Sequence, residues 1–355
     1  MEAFRPLTLR LCNHFSLHPA RLETLSGLIF SVMQSGTVHQ VSMSHCVESP
    51  TLKSALRRVE RFFQRQSLKF RDYALSIVQM LDFKGKFDLC LDRTNWKYGD
   101  KDINYLVLSW RITKHISIPL FATELDKAGN SNTQERISLL EEFDKVFGFA
   151  RIGSLLADRE FVGDTWIRML LRHNVPFFIR TKENILVPYG EEPLHIKEFF
   201  KHLKSGQSRL IEKEMHGSTV YFAGTRAKDG VLVIVLTNQA FRAKDILKTY
   251  RKRWSIEEMF KKLKTSGFNW EGTHMKESKR LTSLLIVLSI AAFLLYSVGI
   301  NVKVPWKKTL QCPLWSVFKC GMTSFQRAVR KGLETAIDLL LSSLQTLCQL
   351  TELKK

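Results

Sequence analysis

The feature that most constrains the fold is an uncharged apolar run of twenty residues, from Leu281 to Ile300. A helix of this length could span a bilayer. The run also contains three serines and a threonine, and no second run of this kind occurs in the chain. A helix that is apolar on all sides can instead lie at the centre of a large soluble domain. We therefore expect a buried core helix, and a membrane-bound protein remains the alternative.

The charge balance points to the kind of partner. The chain has 355 residues with a formal net charge of +20 and a sequence pI near 9.8. Such an excess favours polyanions such as nucleic acid or anionic lipid, and a small neutral metabolite as the only ligand would not explain it. With 45% hydrophobic and 25% charged residues, the composition is that of a globular protein and excludes a wholly disordered chain.

The cysteines and the first residues indicate the compartment. The six cysteines form no Cys-x-x-Cys pair, which argues against a zinc knuckle or a disulfide framework. The first residues lack the apolar core of a signal peptide, so we expect a cytoplasmic protein. The cysteines are Cys12, Cys46, Cys90, Cys312, Cys320 and Cys348.

Residues 1–80 are predicted to be helical. One amphipathic segment begins at Pro19 and ends at Gly36. A second follows Ser54, and its arginines at 58, 61 and 65 are three and four residues apart, which places them on one helical face. This arginine stripe, with Arg58 and Arg61 at its centre, could follow DNA phosphates. A solvated helix face is the alternative.

The middle of the chain predicts an α/β fold built on a mixed sheet. Short strands are expected at 87–91, 103–110, 115–123, 152–157 and 175–180, with helices at 133–147 and through Trp166. The first strand is expected to end in a turn at Asp92. Residues 181–238 are punctuated by glycines and predict an all-β insertion.

The second half returns to helices. A single helix is expected from about Ala243 through Lys264, followed by the apolar helix, a linker marked by Pro305 and Pro313, and a helical tail. We divide the chain into a helical DNA-binding region (1–80), a core in two parts (81–180 and 239–302), the β-rich insertion (181–238) and the tail (303–355), a candidate dimer contact.

Two aspartates are candidate site residues because of where they lie. Asp92 and Asp158 each follow an apolar strand and precede an arginine. A carboxylate at the end of a sheet strand is held by rigid backbone and can point at a ligand outside the sheet. Most aspartates in such positions are turn residues, but the shared context sets this pair apart.

The most specific pattern lies on the helix expected at 243–264. Spacings of three, four and seven bring Tyr250, Arg253, Glu257 and Lys264 toward one face. A carboxylate that can bind a divalent ion, surrounded by groups that can bind phosphates, suits metal-dependent cutting of a phosphodiester. An amphipathic helix with ordinary ion pairs is the alternative.

These residues resemble a known family. Tyr-x2-Arg-x3-Glu-x6-Lys is the signature of one branch of bacterial insertion-sequence transposases of the DDE class, and the four residues match it at every spacing. The segments DRTNWKYG from Asp92 and LLADREF up to Phe161 resemble the blocks that hold the two catalytic aspartates. The long interval between Asp158 and Glu257 agrees with a β-domain inserted before the glutamate, as in that branch.

The resemblance implies an RNase H-like catalytic core. It assigns Asp92, Asp158 and Glu257 as catalytic residues that bind two Mg²⁺ ions, with Mn²⁺ as a possible substitute. Oxygen ligands without a thiol or imidazole fit these ions better than zinc. The signature spacing selects Glu257 over Glu258.

The resemblance also implies contacts with DNA. Tyr250, Arg253 and Lys264 would bind the backbone beside the cleaved phosphate. Trp254 is a candidate for stacking on a flipped base, with a position in the core as the favoured alternative. Supporting roles near the aspartates are expected for Arg93, Asn95, Arg159 and Glu160.

The function that these patterns imply is transposition. The chain would bind the terminal inverted repeats of its element, cleave the ends through a hairpin, and join them to target DNA as a homodimer in the bacterial nucleoid, without a membrane. The alternatives are an RNase H-like metal-dependent nuclease that cuts without joining, and a DNA-binding derivative without catalytic activity.

Overall fold

The structure is a computed structural model that describes Thr8, residues 14–307, Thr309 and residues 311–352. Cys12, one of the six cysteines named above, lies outside the described residues. The first described layer is helical, as expected. It contains α1 (Pro19–Ser35), α2 (Gln40–Met43), α3 (Leu52–Arg65) and α4 (Phe70–Met80).

The ends of two of these helices follow from local chemistry. Helix α1 has Pro19 at its first position and ends at Gly36, which has a positive φ of 68° that glycine tolerates. Helix α3 begins two residues before Ser54, because the hydroxyl of Thr51 accepts a hydrogen bond from the Ser54 N–H and caps the helix.

A mixed sheet forms the centre of the molecule. Strands β1–β3 are consecutive and antiparallel, and β4 and β5 lie parallel to β1, which gives the order β3-β2-β1-β4-β5. This is the strand arrangement of the RNase H-like core, so the predicted α/β fold class is confirmed. The elements are β1 (Phe87–Tyr98), β2 (Lys101–Arg111), β3 (Ser117–Glu124), α5 (Thr133–Phe147), β4 (Ile152–Ala157), α6 (Asp164–Arg172) and β5 (Phe177–Arg180).

The predicted end of the first strand is wrong. Asp92 does not begin a turn, because β1 continues to Tyr98 and pairs with β2 from Leu89 to Tyr98. The parallel pairing of β1 with β4 does stop at Leu91, opposite Ala157. Asp92 is therefore paired with β2 on one side, and on the other side it lies just past the last residue that pairs with β4.

The segment predicted as an all-β insertion extends the core sheet. Strand β10 pairs with β5, and the order continues β5-β10-β9-β8, which makes eight strands in one sheet. The segment also contains a 3₁₀ helix at Ile196–Phe200, so it is not wholly β. Its strands are β6 (Leu186–Val187), β7 (Leu194–His195), β8 (Ser208–Met215), β9 (Ser218–Arg226) and β10 (Leu232–Thr237).

The helix predicted from Ala243 through Lys264 is two helices, α7 (Ala243–Arg251) and α8 (Trp254–Leu263). The chain turns at Lys252 and Arg253, between them. Both side chains at this break form ion pairs with carboxylates of β1, so the break brings their charges to the sheet. Nothing in the sequence marks it, because neither proline nor glycine is present.

The apolar run forms α9 (Ser278–Ile300), which is buried as predicted. It is the single helix in the described part of the chain that is long and apolar enough to cross a membrane, and 94% of its most apolar window is buried inside the fold. Helix α9 packs against α1, α3, α4 and β3. It therefore joins the N-terminal helices to the sheet.

The C-terminal segment packs on α9. After the short strands β11 (Trp306–Lys307) and β12 (Cys312–Pro313), the chain forms α10 (Val317–Lys331) and α11 (Leu333–Glu352), and both contact α9. The contact is so close that a Cβ at Gly321 of α10 would lie 1.8 Å from the carbonyl oxygen of Leu295. Much of the predicted tail thus belongs to the core, and its role as a dimer contact stays a prediction.

Candidate active site

One face of β1 carries the polar side chains of the site. Asp88, Cys90 and Asp92 alternate along the strand and therefore point to the same face. The junction between α7 and α8 covers this face. Lys252 Nζ lies 4.0 Å from Asp88 Oδ2, and Ser255 Oγ lies 3.7 Å from Cys90 Sγ.

Arg253 connects two of the predicted catalytic acids. Its Nη1 donates to Asp92 Oδ2 at 3.0 Å, and its Nη2 donates to Glu257 Oε1 at 2.5 Å. Glu257 lies one turn along α8, four residues after Arg253. The Arg253 side chain is 11% exposed, so this bridge between the sheet and the helix is largely shielded from water.

Asp158 completes the group from the neighbouring strand. Leu91 and Ala157 are the last partners in the parallel pairing of β1 and β4, so Asp92 and Asp158 are the next residues on strands about 4.8 Å apart. The Tyr250 hydroxyl donates to Asp158 Oδ1 at 3.4 Å. The structure thus brings Asp92, Asp158 and Glu257 to one place through contacts with the end of α7 and the start of α8.

The electrostatics show that negative charge is concentrated here. Burial raises the pKa of Asp92 to about 6, against the lowering effects of the Arg93 N–H and Arg253. The neighbouring acids Asp158 and Glu160 raise this pKa further. An Asp92 carboxylate at neutral pH is therefore held in an unfavourable environment, which an added cation would relieve.

The two donors at the site respond to the same field. Burial lowers the pKa of Arg253, but Tyr250, Asp92 and Asp158 raise it by more, so the guanidinium stays charged. Burial raises the pKa of Tyr250 to about 12, which keeps its hydroxyl protonated as a hydrogen-bond donor.

The donor set fits a hard divalent ion. Asp92, Asp158 and Glu257 offer carboxylate oxygens, the ligands that Mg²⁺ and Mn²⁺ prefer. In the described residues, no three His, Cys, Asp or Glu side chains lie close enough together to hold an ion as they stand. At this site the guanidinium of Arg253 contacts both Asp92 and Glu257.

Two other residues predicted to contact DNA point away from the acids. Lys264 Nζ donates to the carbonyl of Asn95 at 3.0 Å and pairs with Glu271 at 2.7 Å, so it braces the end of β1 instead of joining the acids. Its contact with DNA stays a prediction. Trp254 is 62% exposed, so the favoured position in the core is wrong. The break before α8 turns this indole outward, and its stacking role also stays a prediction.

Glu257 and Glu258 are adjacent on α8 but have different contacts. Glu257 contacts Arg253, whereas Glu258 is more exposed and its closest cation is Lys262 at 3.8 Å. The placement agrees with the choice of Glu257.

A second ion pair supports the site from the opposite face of β1. Arg93 makes two hydrogen bonds to Glu160, at 2.9 and 3.1 Å, and also donates to Asn104 Oδ1 and Asn130 Oδ1. Of the four residues expected to support the aspartates, Arg93 and Glu160 thus bond to each other. Arg159 is exposed, and Asn95 contributes its backbone carbonyl.

The sequence reasoning missed Asp88. Ser154 Oγ donates to Asp88 Oδ1 at 2.8 Å, and Arg111 and Lys252 lie 3.8 and 4.0 Å from Oδ2. The period of two along β1, with Asp88 and Asp92 on one face, was the signal that could have found it.

The predicted arginine stripe lies on the surface of α3. Arg58 and Arg61 line a cleft of about 730 Å³ together with Arg57, and Arg58 donates to the carbonyl of Glu48. Arg65 is exposed on the same helix but outside this cleft. Val59 and Phe63 of the same helix are buried in the core, on the side away from this cleft.

Comparisons with known proteins give one family match. Residues 120–294, just under half of the chain, match the family described as the transposase DDE domain. The match includes Asp158 and Glu257 but begins after Asp92. It supports a transposase of the DDE class.

Solved structures and curated proteins add little to this. The piggyBac transposase synaptic complex with hairpin DNA, solved by cryo-EM, is similar with a TM-score of 0.48 and 12% identity, over 94% of this chain and 72% of that chain. No curated protein matches the sequence.

Proposed function

We propose that this protein is a DNA transposase that binds the terminal inverted repeats of its element, cleaves the element ends and joins them to target DNA. The observation that carries the proposal is the meeting of Asp92, Asp158 and Glu257, which are remote in the chain, around Tyr250 and Arg253. The family match supports the class, and the net charge of +20 supports a nucleic-acid partner.

Each side chain has a role that its contacts suggest. Asp92, Asp158 and Glu257 hold the divalent ions, which would supply an activated attacking oxygen and stabilise the leaving oxygen of the phosphodiester. Arg253 has to leave Asp92 or Glu257 for that purpose, and a DNA phosphate offers it an equivalent bidentate partner. The protonated Tyr250 hydroxyl donates to a phosphate oxygen in the same way.

The proposed reaction has four steps that occur at one site. Water attacks the phosphodiester at the end of the element and leaves a 3′-hydroxyl and a 5′-phosphate. That 3′-hydroxyl attacks the opposite strand, which closes a hairpin and releases the flanking DNA. A second water opens the hairpin and restores the 3′-hydroxyl, which finally attacks target DNA and displaces a 3′-hydroxyl there. Trp254 would stack on the base that the hairpin forces out of the helix. Two ends held together imply a homodimer on DNA.

The test uses the full-length protein, labelled DNA carrying the ends that flank its gene, and Mg²⁺ or Mn²⁺. We expect nicking, a closed hairpin on denaturing gels, and joining of pre-cleaved ends to a plasmid. The variants Asp92→Ala and Asp158→Ala should abolish all three reactions and leave binding of the ends intact. Cleavage without joining would identify a nuclease instead, and binding without metal-dependent nicking would identify a DNA-binding derivative.

A further inference from the structure

A basic cleft lies beside the candidate active site. It is bounded by the turn between β2 and β3, by the junction of α7 and α8, and by residues of 304–306 and 313–317, and its volume is about 610 Å³. This volume is within the range of pockets that hold small organic groups. Lys252 belongs to both sites, because it lines the cleft and contacts Asp88. Asp88 precedes Asp92 by four residues of strand, which spans about 13 Å.

Three indole rings line this cleft and face solvent. Trp254, Trp306 and Trp315 are 62%, 57% and 39% exposed. Large exposed aromatic side chains that gather in one place mark a binding surface more often than chance exposure does. The three come from separate elements, so the fold has brought them together.

The backbone holds the two C-terminal indoles in position. Trp306 lies in β11 opposite Pro313 of β12, and the Leu314 N–H donates to the Pro305 carbonyl at 2.7 Å. Residues 314–316 lead directly into α10, and this helix is packed closely on α9. Trp306 and Trp315 thus project from a short hairpin that is anchored to the core.

The charge of the cleft is strongly positive. Glu258 is the one acidic side chain that lines it, and Lys262 lies 3.8 Å from that carboxylate. In the described part of the chain, Lys114 and Arg251 line the cleft and take part in no ion pair. The basic and titratable lining residues are Arg111, Lys114, His115, Arg251, Lys252 and Lys262.

We propose that this cleft, which serves the transposition proposed above, binds unpaired single-stranded DNA. Trp306 and Trp315 stack on successive bases, and Lys114 and Arg251 contact the phosphates. Indole rings next to free cations suit a single strand, because its bases expose their faces, whereas the bases of a duplex are stacked inside. The cleft adjoins Asp88, which lies about 13 Å along β1 from the proposed catalytic Asp92, so a strand that leaves the cleft along β1 would reach the acids.

The experiment measures binding of a labelled oligo-dT to the full-length protein without divalent ions. The double variant Trp306→Ala, Trp315→Ala should bind about tenfold more weakly or worse, because stacking on aromatic side chains contributes strongly for each base. The conservative double variant Trp306→Phe, Trp315→Phe should recover most of the affinity. Leu314→Ala is the matched control, since Leu314 is exposed on the same segment but does not line the cleft.

Two further measurements keep the test independent of how these variants fold. An abasic oligonucleotide of equal length should bind the unmodified protein more weakly than oligo-dT. An oligonucleotide that contains 5-iodouracil should form photocrosslinks to Trp306 or Trp315. Equal affinity for both oligonucleotides, or crosslinks that map only outside the cleft, would overturn the proposal. Replacing Lys114 and Arg251 by alanine should reduce the slope of log affinity against log salt by about 0.7 for each lost phosphate contact.

The outcome can be separated from that of the proposed function. The oligonucleotide contains no element end and the assay contains no metal, so binding of oligo-dT is measured without any cleavage step. If the protein fails to cleave element ends, the oligo-dT binding result still stands. If the tryptophan variants bind oligo-dT normally, metal-dependent nicking of duplex ends still tests the proposed function.

Discussion

Helices α8 and α9 are neighbours along the chain and are built in opposite ways. Helix α8 carries Glu257 toward the sheet and leaves Trp254 in solvent. Helix α9 is uncharged from Leu281 onward and is buried almost throughout. One helix places charge where it costs stability, and the other supplies apolar burial that offsets such a cost. The difference separates the part of the molecule that acts from the part that holds it together.

The largest expected effect falls on neighbouring residues of α8. Glu257→Gln should reduce metal-dependent cleavage by about a thousandfold or more, because it removes a carboxylate that we propose as a ligand of the ions. Glu258→Gln changes the same chemistry at the next position, which contacts Lys262 instead of Arg253. In single-turnover assays, the cleavage rate of Glu258→Gln should stay close to that of the wild type. Equal losses of rate in both variants would show that Glu257 has no special role at the site.

The second prediction concerns the close packing of α10 on α9, which affects stability and not cleavage. Gly321→Ala puts a methyl group where a Cβ would lie 1.8 Å from Leu295 O, so α9 and α10 must separate. We expect a loss of about 2–3 kcal/mol in the free energy of unfolding, as for overpacked cores. Urea denaturation measures it, with Arg327→Ala, an exposed change on the same helix, as the control. A change of the same size in both variants would contradict the close packing.

Asp92 should reveal the cost of charge at the site. Between about pH 4 and 6, folded Asp92 retains a proton that the unfolded chain has released, so its contribution to stability falls as pH rises through this window. Asp92→Asn cannot ionise and should therefore be more stable than the wild type at pH 7 by about 1–3 kcal/mol in metal-free buffer. The difference should disappear near pH 4.

The control for this prediction is Asp338→Asn, an exposed change on α11. Its free energy of unfolding at pH 7 should be close to that of the wild type, because the side chain is exposed. Mg²⁺ should raise the melting temperature of the wild type more than that of Asp92→Asn, because the ion binds the ionised carboxylate. If Asp92→Asn were less stable than the wild type at pH 7, the carboxylate would be a stabilising partner of Arg253 instead of a strained ligand.

The smallest effect concerns the arginine stripe on α3. The double variant Arg58→Ala, Arg61→Ala should weaken binding of duplex DNA and reduce the slope of log affinity against log salt by about 0.9 for each lost phosphate contact. Arg172→Ala removes an exposed positive charge from α6 and serves as the control. Unchanged slopes in the double variant would mean that the stripe faces solvent.

The sequence predicts those elements whose ends carry local signals. Helix α5 is found at 133–147, where Asn132 and Glu135 cap each other's backbone, and α1 ends at Gly36. The break between α7 and α8 has no such signal, because it depends on ion pairs between Lys252, Arg253 and a distant strand. Pairing of β10 with β5 is likewise a long-range choice that periodicity does not reveal.

The site shows the same division. The spacing from Tyr250 to Glu257 predicts which residues meet, although the helix that was expected to carry them is broken. The exposure of Trp254 and the cleft formed with Trp306 and Trp315 depend on how three separate segments pack, and no local pattern encodes that.

The central position of α9 has a consequence for the order in which a ribosome delivers the chain. Asp92 and Asp158 emerge first, whereas the helix that ties the sheet to the N-terminal helices is synthesised more than a hundred residues later. A nascent chain that has reached residue 257 therefore carries all three acids but not yet the helix that joins the sheet to the N-terminal helices. We expect a chain that ends before residue 278 to lack a stable core, because it lacks this buried helix.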